Sequence, residues 1–252
     1  MNIEAYVDRL EHAAARCGFT LSFYGQLGKT GLPVLERQAA DDAPQVYIST
    51  GVHGDEPAGP MALLELLRRK AFPDSANYTF FPMVNPTGLA AGTRENADGV
   101  DLNRDYGLSP VAEETRSQLE WIGQRQFDLC LCLHEDYDGE GFYVYAHEDE
   151  DDPNDYASIA IQAAAPHTGI DRREEIDEMP AKDGRMFPPM DVMDKSRQDL
   201  PEALRLLFHH GAKASVTTET PSCQAITQRI EAQCAVVQAI LAAYLEQHAP
   251  KP

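Results

Sequence analysis

The chain has 252 residues, of which 43% are hydrophobic and 25% are charged. These proportions are typical of a folded globular protein and exclude a disordered, collagen-like or coiled-coil chain, and the length is sufficient to bury a large core without disulfide bonds or structural metals. The 41 acidic and 21 basic residues give a formal net charge of −20, which argues against nucleic acid and anionic membrane surfaces as partners but remains compatible with cationic or zwitterionic small substrates.

The start of the chain and its cysteines favour a cytoplasmic location. The first 17 residues interleave charged and apolar side chains, so they lack the apolar centre of a signal peptide. No apolar run approaches the ~20 residues that a membrane-spanning helix needs. The five cysteines show no CxxC spacing and are expected to be small buried hydrophobic residues.

Apolar patterns along the first part of the chain predict alternating helices and strands. In chain order, the predicted elements are a short amphipathic N-terminal helix, a hairpin of strands 21–27 and 32–38, a central strand 45–52, a helix 57–70 and a strand 77–84. Residues 85–109 are rich in Gly and Asn and have no period, so a long loop is expected there. Long ordered loops in compact domains are usually functional.

The second part of the chain continues the alternation. The predicted elements are a helix that begins at Ser109-Pro110 and runs to about 126, strands 127–134 and 141–147, an acidic loop 147–155, an irregular excursion 171–200, a strand 214–221 and a closing helix from about Ser222. Strands that alternate with helices indicate βαβ units. We therefore expect residues 1–252 to form a single three-layer α/β/α domain with a mixed, mainly parallel sheet.

Three predicted strands end in side chains that bind metals or transfer protons. His53 and Glu56 follow the central strand, and His134 ends a later strand. Glu219 is flanked by Thr218 and Thr220 in the last, apolar strand, where a carboxylate is costly unless it is paired or functional. Strand ends of an open α/β sheet meet in one crevice, and two imidazoles with one carboxylate would hold zinc with an open position for water. Glu219 would then accept the proton of that water.

Each of these signals is weak by itself. A lone HxxE pattern occurs by chance, and a His at a strand end is commonly a hydrogen-bonded surface residue. Cys130, Cys132 and His134 face the same side of their strand, but Cys130 and His134 lie ~13 Å apart. Because zinc ligands lie only ~2–2.3 Å from the ion, these residues cannot share one, and both cysteines are expected to lie in the core.

The predicted loop adds three residues that suit an anionic group. Arg94 is followed by Asn103 and Arg104, and arginine presents a rigid fork of donors to a carboxylate. Beside a zinc ion, this set would suit a substrate with a free carboxylate next to the amide bond to be cleaved. In the alternative interpretation, Arg104 pairs with Asp101 or Asp105 and only braces the loop.

Taken together, these segments resemble the M14 zinc carboxypeptidase superfamily over roughly residues 45–247. The matching segments, in the same order and spacing, are HGDE at 53–56, NPTG at 85–88, Arg94 with DLNRDYG at 101–107, the strand that ends in His134, and TETP at 218–221. Asp55 occupies a slot in which digestive carboxypeptidases have Arg, and residues 186–200 lack the substrate-capping Tyr of those enzymes. The motifs look more like the bacterial branch that includes murein-peptide amidases. The ETP segment at 219–221 also resembles the corresponding segment of succinylglutamate desuccinylase and aspartoacylase.

The resemblance implies a role for each matching residue. The implied zinc ligands are His53, Glu56 and His134; the substrate carboxylate binds Asn103 and Arg104; Arg94 polarises the scissile carbonyl; and Glu219 is the general base and then the acid that protonates the leaving amine. One zinc ion per chain is expected. A second metal near Glu135, Asp136 or Asp138 stays open, as does the oligomeric state.

The expected function is that of a zinc-dependent metallocarboxypeptidase that hydrolyses a peptide or amide bond next to a free carboxylate. A murein-type peptide is one expected substrate. The first alternative is an N-acyl amino acid deacylase that uses the same site. The second is a metal-binding module without catalysis, which the combination of Glu219 with all three ligands disfavours.

Overall fold

The computed structural model describes residues 1–149, 152–188 and 193–248; residues 150–151 of the predicted acidic loop and 189–192 of the predicted excursion lie outside them. The helices are α1 (Ile3–Ala15), α2 (Ala58–Arg68), α3 (Pro86–Ala91), α4 (Glu113–Ile122), α5 (Tyr156–Thr168), α6 (Glu202–His209) and α7 (Ile226–His248), with a 3-10 turn at Leu102–Arg104. The strands are β1 (Thr20–Leu27), β2 (Thr30–Arg37), β3 (Gln45–Thr50), β4 (Asn77–Phe81), β5 (Leu129–Asp136), β6 (Tyr143–Glu148), β7 (Glu175–Ile176), β8 (Met179–Lys182), β9 (Arg185–Met186) and β10 (Ala214–Pro221).

A mixed sheet separates two layers of helices. Its strands lie in the order β1-β2-β4-β3-β5-β10-β6-β9-β8-β7. The central strands β4, β3, β5 and β10 are parallel, and β2 and β6 flank them in antiparallel orientation. Helices α1, α2, α5 and α7 share a core with one face, which we call the back, and α4 and α6 pack on the other, the front. The predicted α/β/α fold with a mixed sheet and a parallel centre is confirmed.

Strand β5 shows how the two layers set the orientation of the site. Leu129, Leu131 and Leu133 belong to the back core, whereas Cys130 and Cys132 belong to the front core. Because both faces are covered, the strand consists of a continuous apolar run. By the same alternation, the next residue after Leu133 faces the front and the one after it faces the back.

The long segment predicted as a loop at 85–109 contains short helical structure. Helix α3 begins after Asn85, whose side chain accepts a hydrogen bond from the N–H of Gly88. The 3-10 turn begins after Asp101, which accepts from the N–H of Asn103. Both elements are too short to produce a recognisable period, so the prediction of a continuous loop was wrong at these two places.

Helix α4 begins later than the Ser-Pro pattern at 109–110 predicts. Ala112 occupies its N-cap position. The carboxylate of Asp105 accepts hydrogen bonds from the N–H groups of Val111 and Ala112, which holds these residues in a turn before the helix. The true start is therefore set by a side chain several residues upstream.

The irregular excursion predicted for 171–200 is wrong where it contains β7, β8 and β9. Asp177, Glu178 and Asp183 adopt positive φ angles there, a conformation that lets the chain reverse between short strands. The sequence patterns also predict neither α5 nor α6. None of the helices in the described part of the chain is both long and apolar enough to cross a membrane.

The cysteines follow their expected burial only in part. Cys130, Cys132 and Cys234 are buried, and Cys17 is half-buried. Cys223 is exposed, contrary to the expectation, because it lies in the turn between β10 and α7. All five are free thiols.

Candidate functional site

The structure brings His53, Glu56 and His134 together in a buried trio. His53 and Glu56 come from the loop between β3 and α2, and His134 comes from the front face of β5. Each residue is only 3% exposed. One ligand atom from each lies within 4.8 Å of the others, and the described residues contain no other group of three metal-binding side chains at this spacing.

Glu56 lies between the two histidines. Its Oε1 contacts Nδ1 of His53, and its Oε2 lies 3.1 Å from Nδ1 of His134. Oε2 is buried yet forms no hydrogen bond with the described residues. Because Nδ1 of His134 lies close to Oε2, either a protonated His134 or a bound cation must balance this buried charge. Two nitrogen donors and one carboxylate within 4.8 Å of one another fit a zinc ion with three protein ligands.

The charges of the trio reinforce one another in the absence of metal. Burial opposes protonation of His53, but the charge of Glu56 and hydrogen bonds with Asp101 and Glu56 outweigh it and raise the pKa of His53 to about 9. Burial likewise opposes ionisation of Glu56, but the two histidines outweigh it and lower its pKa to about 2. The pKa of His134 is raised in spite of burial, mainly by Glu56. Protons therefore compete with any metal for this trio.

Asp101 connects the trio to Arg94. Its Oδ1 lies 3.1 Å from Nε2 of His53, and its Oδ2 accepts hydrogen bonds from Nε and Nη2 of Arg94 at 3.1 and 3.0 Å. A carboxylate on the second ring nitrogen is the usual support of a metal-binding His. Nη1 of Arg94 remains directed at the trio, 3.4 Å from Nδ1 of His53. The sequence analysis missed this role of Asp101, although its position at the start of the DLNR segment was a usable signal.

Asn103 and Arg104 lie on the 3-10 turn that follows Asp101. Oδ1 of Asn103 accepts a hydrogen bond from the N–H of Glu202 at 3.0 Å. The guanidinium group of Arg104 is exposed and donates to the carbonyl oxygen of Asn103 at 2.9 Å. In the described part of the chain, neither Asp101 nor Asp105 forms an ion pair with Arg104. The alternative in which one of them holds Arg104 is therefore not observed.

Glu219 lies beside His134 on the front face. The two residues are partners in the parallel register of β10 and β5, and Tyr143 of β6 is the partner on the other side. Burial, together with the nearby charge of Glu56, raises the pKa of Glu219 well above its ordinary value, although His134 acts in the opposite direction. The charges of Glu219 and Arg104 both act on the hydroxyl group of Tyr145, where Glu219 raises the pKa and Arg104 lowers it.

Glu135 faces the opposite side of the sheet. Its Oε1 accepts a hydrogen bond from the N–H of Ala58 at 2.6 Å, and its Oε2 forms an ion pair with Arg229 of α7. Asp136 accepts hydrogen bonds from the hydroxyl group of Tyr143 and the N–H of Asp138. Within the described residues, Glu135, Asp136 and Asp138 do not converge on a second metal site.

Comparisons with known proteins show which family the chain is similar to. The sequence pattern of the succinylglutamate desuccinylase/aspartoacylase catalytic domain matches residues 42–171, just over half of the chain. The matched range contains the buried trio and ends before Glu219. The structure of a proposed metallopeptidase from Shewanella baltica OS155 is 29% identical, covers 96% of this chain and 92% of that chain, and superposes with a TM-score of 0.81.

Two curated carboxypeptidases share shorter segments. Carboxypeptidase SOL1 from Arabidopsis thaliana is 29% identical over 103 residues, and Carboxypeptidase E from Caenorhabditis elegans is 34% identical over 117 residues. These segments cover 33% and 37% of this chain but only 21% and 24% of the two relatives. The chain therefore spans less than a quarter of the length of either.

Proposed function

The chain belongs to the succinylglutamate desuccinylase/aspartoacylase catalytic domain family, within the M14-like superfamily, and from this premise we propose that it is a zinc-dependent hydrolase that cleaves an amide bond beside a free carboxylate. The observation that carries the proposal is the buried trio of His53, Glu56 and His134 with Glu219 beside it on the same face. A metal ligand set and a spare carboxylate at one strand end are the two parts that metal-assisted hydrolysis needs.

The three residues of the trio would hold the zinc ion. The two carboxylate oxygens of Glu56, each of which faces an Nδ1 atom of one histidine, support this assignment. When bound, zinc would act as a Lewis acid on the substrate carbonyl group and would lower the pKa of its water. Asp101 would fix the orientation of the His53 ring through Nε2.

Glu219 would accept the proton of the attacking water and then donate it to the leaving amine. A group that does both needs a pKa near the working pH, and burial shifts the pKa of Glu219 upwards from that of an ordinary carboxylate. Its register partner His134 places it at the level of the trio. Glu135 faces the back layer, and Asp136 accepts hydrogen bonds from Tyr143 and the N–H of Asp138. Glu219 is therefore the carboxylate of this strand pair that would be available to substrate.

Arg94 would stabilise the oxygen that gains negative charge during the reaction. Nε and Nη2 of Arg94 donate hydrogen bonds to Asp101, so Nη1 is the group that would donate to the substrate. A donor that is held in place before the reaction stabilises charge without reorganisation.

Asn103 and Arg104 would bind the free carboxylate of the residue that is released. Since Oδ1 of Asn103 accepts from Glu202, its Nδ2 group is left to donate to an anion. Arg104 is exposed and has no ion-pair partner among the described residues, so its charge is available to the same anion. Two donors of this kind discriminate a free acid from its neutral amide.

Two substrate classes fit this site, and each has one supporting observation. The family match favours an N-acyl amino acid, since succinylglutamate desuccinylase and aspartoacylase give that family its name. The similarity to two carboxypeptidases favours a peptide, and the murein-type peptide expected from the sequence motifs belongs to this class. The net charge of −20 adds an expectation that substrates with an amine near the cleaved bond are preferred over acidic ones.

Hydrolysis of a matched substrate panel tests the proposal. Zinc-loaded protein would be given N-acetyl and N-succinyl amino acids and N-blocked dipeptides, each as the free acid and as the C-terminal amide. We expect hydrolysis of at least one free-acid class and poor hydrolysis of every amide. Equal kcat/KM for acid and amide would contradict carboxylate recognition, and zinc binding without hydrolysis of any member would favour the non-catalytic alternative.

A further inference from the structure

A fully buried carboxylate lies beneath the candidate site without a cationic partner among the described residues. Glu202, the first residue of α6, is 1% exposed. Its side chain accepts hydrogen bonds from the hydroxyl groups of Tyr47 and Ser49 and from Nε2 of Gln118. These neutral donors satisfy its hydrogen bonds but supply no counter-charge, so a carboxylate at this position is costly to bury.

The hydrogen bonds of Glu202 tie α6 to two other elements. Tyr47 and Ser49 belong to β3, and Gln118 belongs to α4. Gln118 also donates to the hydroxyl group of Tyr47 at 2.7 Å and accepts from the hydroxyl group of Tyr106 at 2.6 Å. Tyr106 comes just after the 3-10 turn, so the network reaches the segment that carries Asn103 and Arg104.

The backbone of Glu202 contacts the proposed carboxylate site directly. Its N–H donates to Oδ1 of Asn103 at 3.0 Å. Because an N–H group needs an acceptor, this bond assigns the amide of Asn103 with Oδ1 towards α6 and Nδ2 directed elsewhere. A reversed amide would present an acceptor oxygen to the substrate anion and would repel it.

The segment before α6 supports the same turn. The N–H of Tyr106 donates to the carbonyl oxygen of Leu200 at 3.1 Å. Gly107 lies so close to this segment that a Cβ atom there would be 2.3 Å from the carbonyl oxygen of Gln198. The turn with Asn103 and Arg104 therefore rests on residues 198–202, which Glu202 anchors to the sheet.

The anchor also lies on the same strands as the metal ligands. Ser49 of β3 is the register partner of Cys132 of β5, and His134 follows two residues later on the same face. Two residues of a strand span ~7 Å. The same pair of strands therefore supports both the buried trio and the turn that carries Asn103, and Glu202 is the link between them.

We propose that Glu202 is a positioning residue for recognition of the substrate carboxylate, an inference that rests on the proposed function of Asn103 and Arg104. Its carboxylate fixes the first turn of α6 against β3 and α4. Its N–H group then holds the amide of Asn103 so that Nδ2 faces the substrate. Glu202 touches no reacting atom, so it should affect substrate binding and leave the chemical step nearly unchanged.

The test compares Glu202→Gln with the wild type, both loaded with zinc, on the best free-acid substrate and its amide. A charge-assisted hydrogen bond is worth enough that we expect KM for the acid to rise about tenfold, with kcat within about threefold. The amide, which does not use this contact, should be hydrolysed as before. The preference for acid over amide should therefore fall about tenfold.

A double-mutant cycle separates positioning from general destabilisation. Asn103→Ala should reduce the same preference, and adding Glu202→Gln to it should cause little further loss, because both changes remove one interaction. Additive losses would overturn the proposal. Asp171→Asn is the matched control, since Asp171 is a 1% exposed carboxylate that bonds Arg173 and the N–H of Glu140 instead. It should leave the preference unchanged.

The outcomes distinguish this inference from the proposed function. A wild type without any preference for the acid contradicts both. A wild-type preference that survives Glu202→Gln contradicts only the role of Glu202. If the Gln variant does not fold, Tyr47→Phe removes one donor to Glu202 and should lower the preference in the same direction to a smaller extent. An unchanged preference in that variant would also overturn the inference.

Discussion

Two glutamates lie side by side at the carboxyl ends of β5 and β10, yet they face different layers. Glu219 is the register partner of His134 and faces the front. Glu135 is the register partner of Thr220 and faces the back. Both have a pKa raised by burial. Burial and pKa alone would therefore nominate either one as a general base.

Their partners distinguish them. Glu135 forms an ion pair with Arg229 and accepts from the N–H of Ala58, so it joins β5 to α7 and to the start of α2. Glu219 lies next to the buried trio, whose histidines would be occupied by metal. A buried carboxylate that is paired with arginine and a helix N-terminus is explained by structure, whereas one that lies beside metal ligands calls for a chemical role.

The largest expected effect comes from exchanging each glutamate for its amide. Loss of a general base costs ~10²–10⁴ in rate, so we expect Glu219→Gln to retain zinc and fold but to lose kcat by this factor. Glu135→Gln, a change of the same chemistry one residue from His134, should keep kcat within about tenfold of the wild type. Steady-state kinetics on both variants measure this. If Glu135→Gln were the inactive variant and Glu219→Gln the active one, the two roles would be reversed.

The front face is also expected to hold a residue that acts only during the reaction. The substrate carbonyl oxygen that Arg94 would contact gains negative charge as the carbonyl carbon becomes tetrahedral. Loss of one donor to such an oxygen costs ~10²–10³ in kcat. Arg94→Ala should therefore lower kcat far more than it raises KM. Arg229→Ala on the back face is the control and should change stability more than kcat. A rise in KM alone for Arg94→Ala would assign Arg94 to ground-state binding.

The affinity of the buried trio on the front face for zinc should depend on pH. His53, with a metal-free pKa of about 9, and His134, whose pKa is also raised, must lose their protons before they bind metal. Affinity should therefore increase as pH rises towards about 9, by about tenfold per pH unit for each proton released. Calorimetric titration with zinc in buffers of different ionisation enthalpy measures the protons released. No proton release near pH 7 would show that the histidines are already neutral.

The smallest expected effect concerns the back face. Burial raises the pKa of Glu135 to about 7, because its effect is larger than that of the hydrogen bond from Ala58 and the charge of Arg229, which both lower the pKa. Because the pKa of Glu135 is higher in the folded than in the unfolded protein, its protonation stabilises the fold. This contribution to the unfolding free energy is complete at low pH and is lost as pH rises through about 7. Glu135→Gln cannot ionise, so it should reduce the fall in unfolding free energy between about pH 5 and pH 8 by roughly 1–3 kcal/mol. Urea denaturation of both proteins at the two pH values measures this, and parallel losses would show that Glu135 does not titrate there.

The sequence was sufficient for those parts of the site that depend on local pattern. His53, Glu56 and His134 follow apolar runs that form β3 and β5, and the structure brings them together. The alternation of side chains along β5 is also sufficient to place Glu135 on the face opposite His134, away from the metal ligands. The central strands were predicted for the same reason, since their apolar runs are continuous.

The parts that were not predicted depend on partners far away in the chain. Glu202 is buried by Tyr47 and Ser49, more than 150 residues earlier, and α6 is too short for its period to be distinctive. Asp101 was weighed as a partner of Arg104, but the fold places it between His53 and Arg94. Such roles follow from the packing of separate elements and leave little trace in local sequence.

Metal content tests the central claim most directly. Purified wild-type protein, His53→Ala, His134→Ala and Glu219→Gln would be equilibrated with zinc, desalted and measured by mass spectrometry for metal per chain. The proposed site predicts about one zinc ion per chain in the wild type and in Glu219→Gln, and a large loss in both histidine variants. Near-unchanged zinc content in both histidine variants would contradict the assignment of the trio as the metal site.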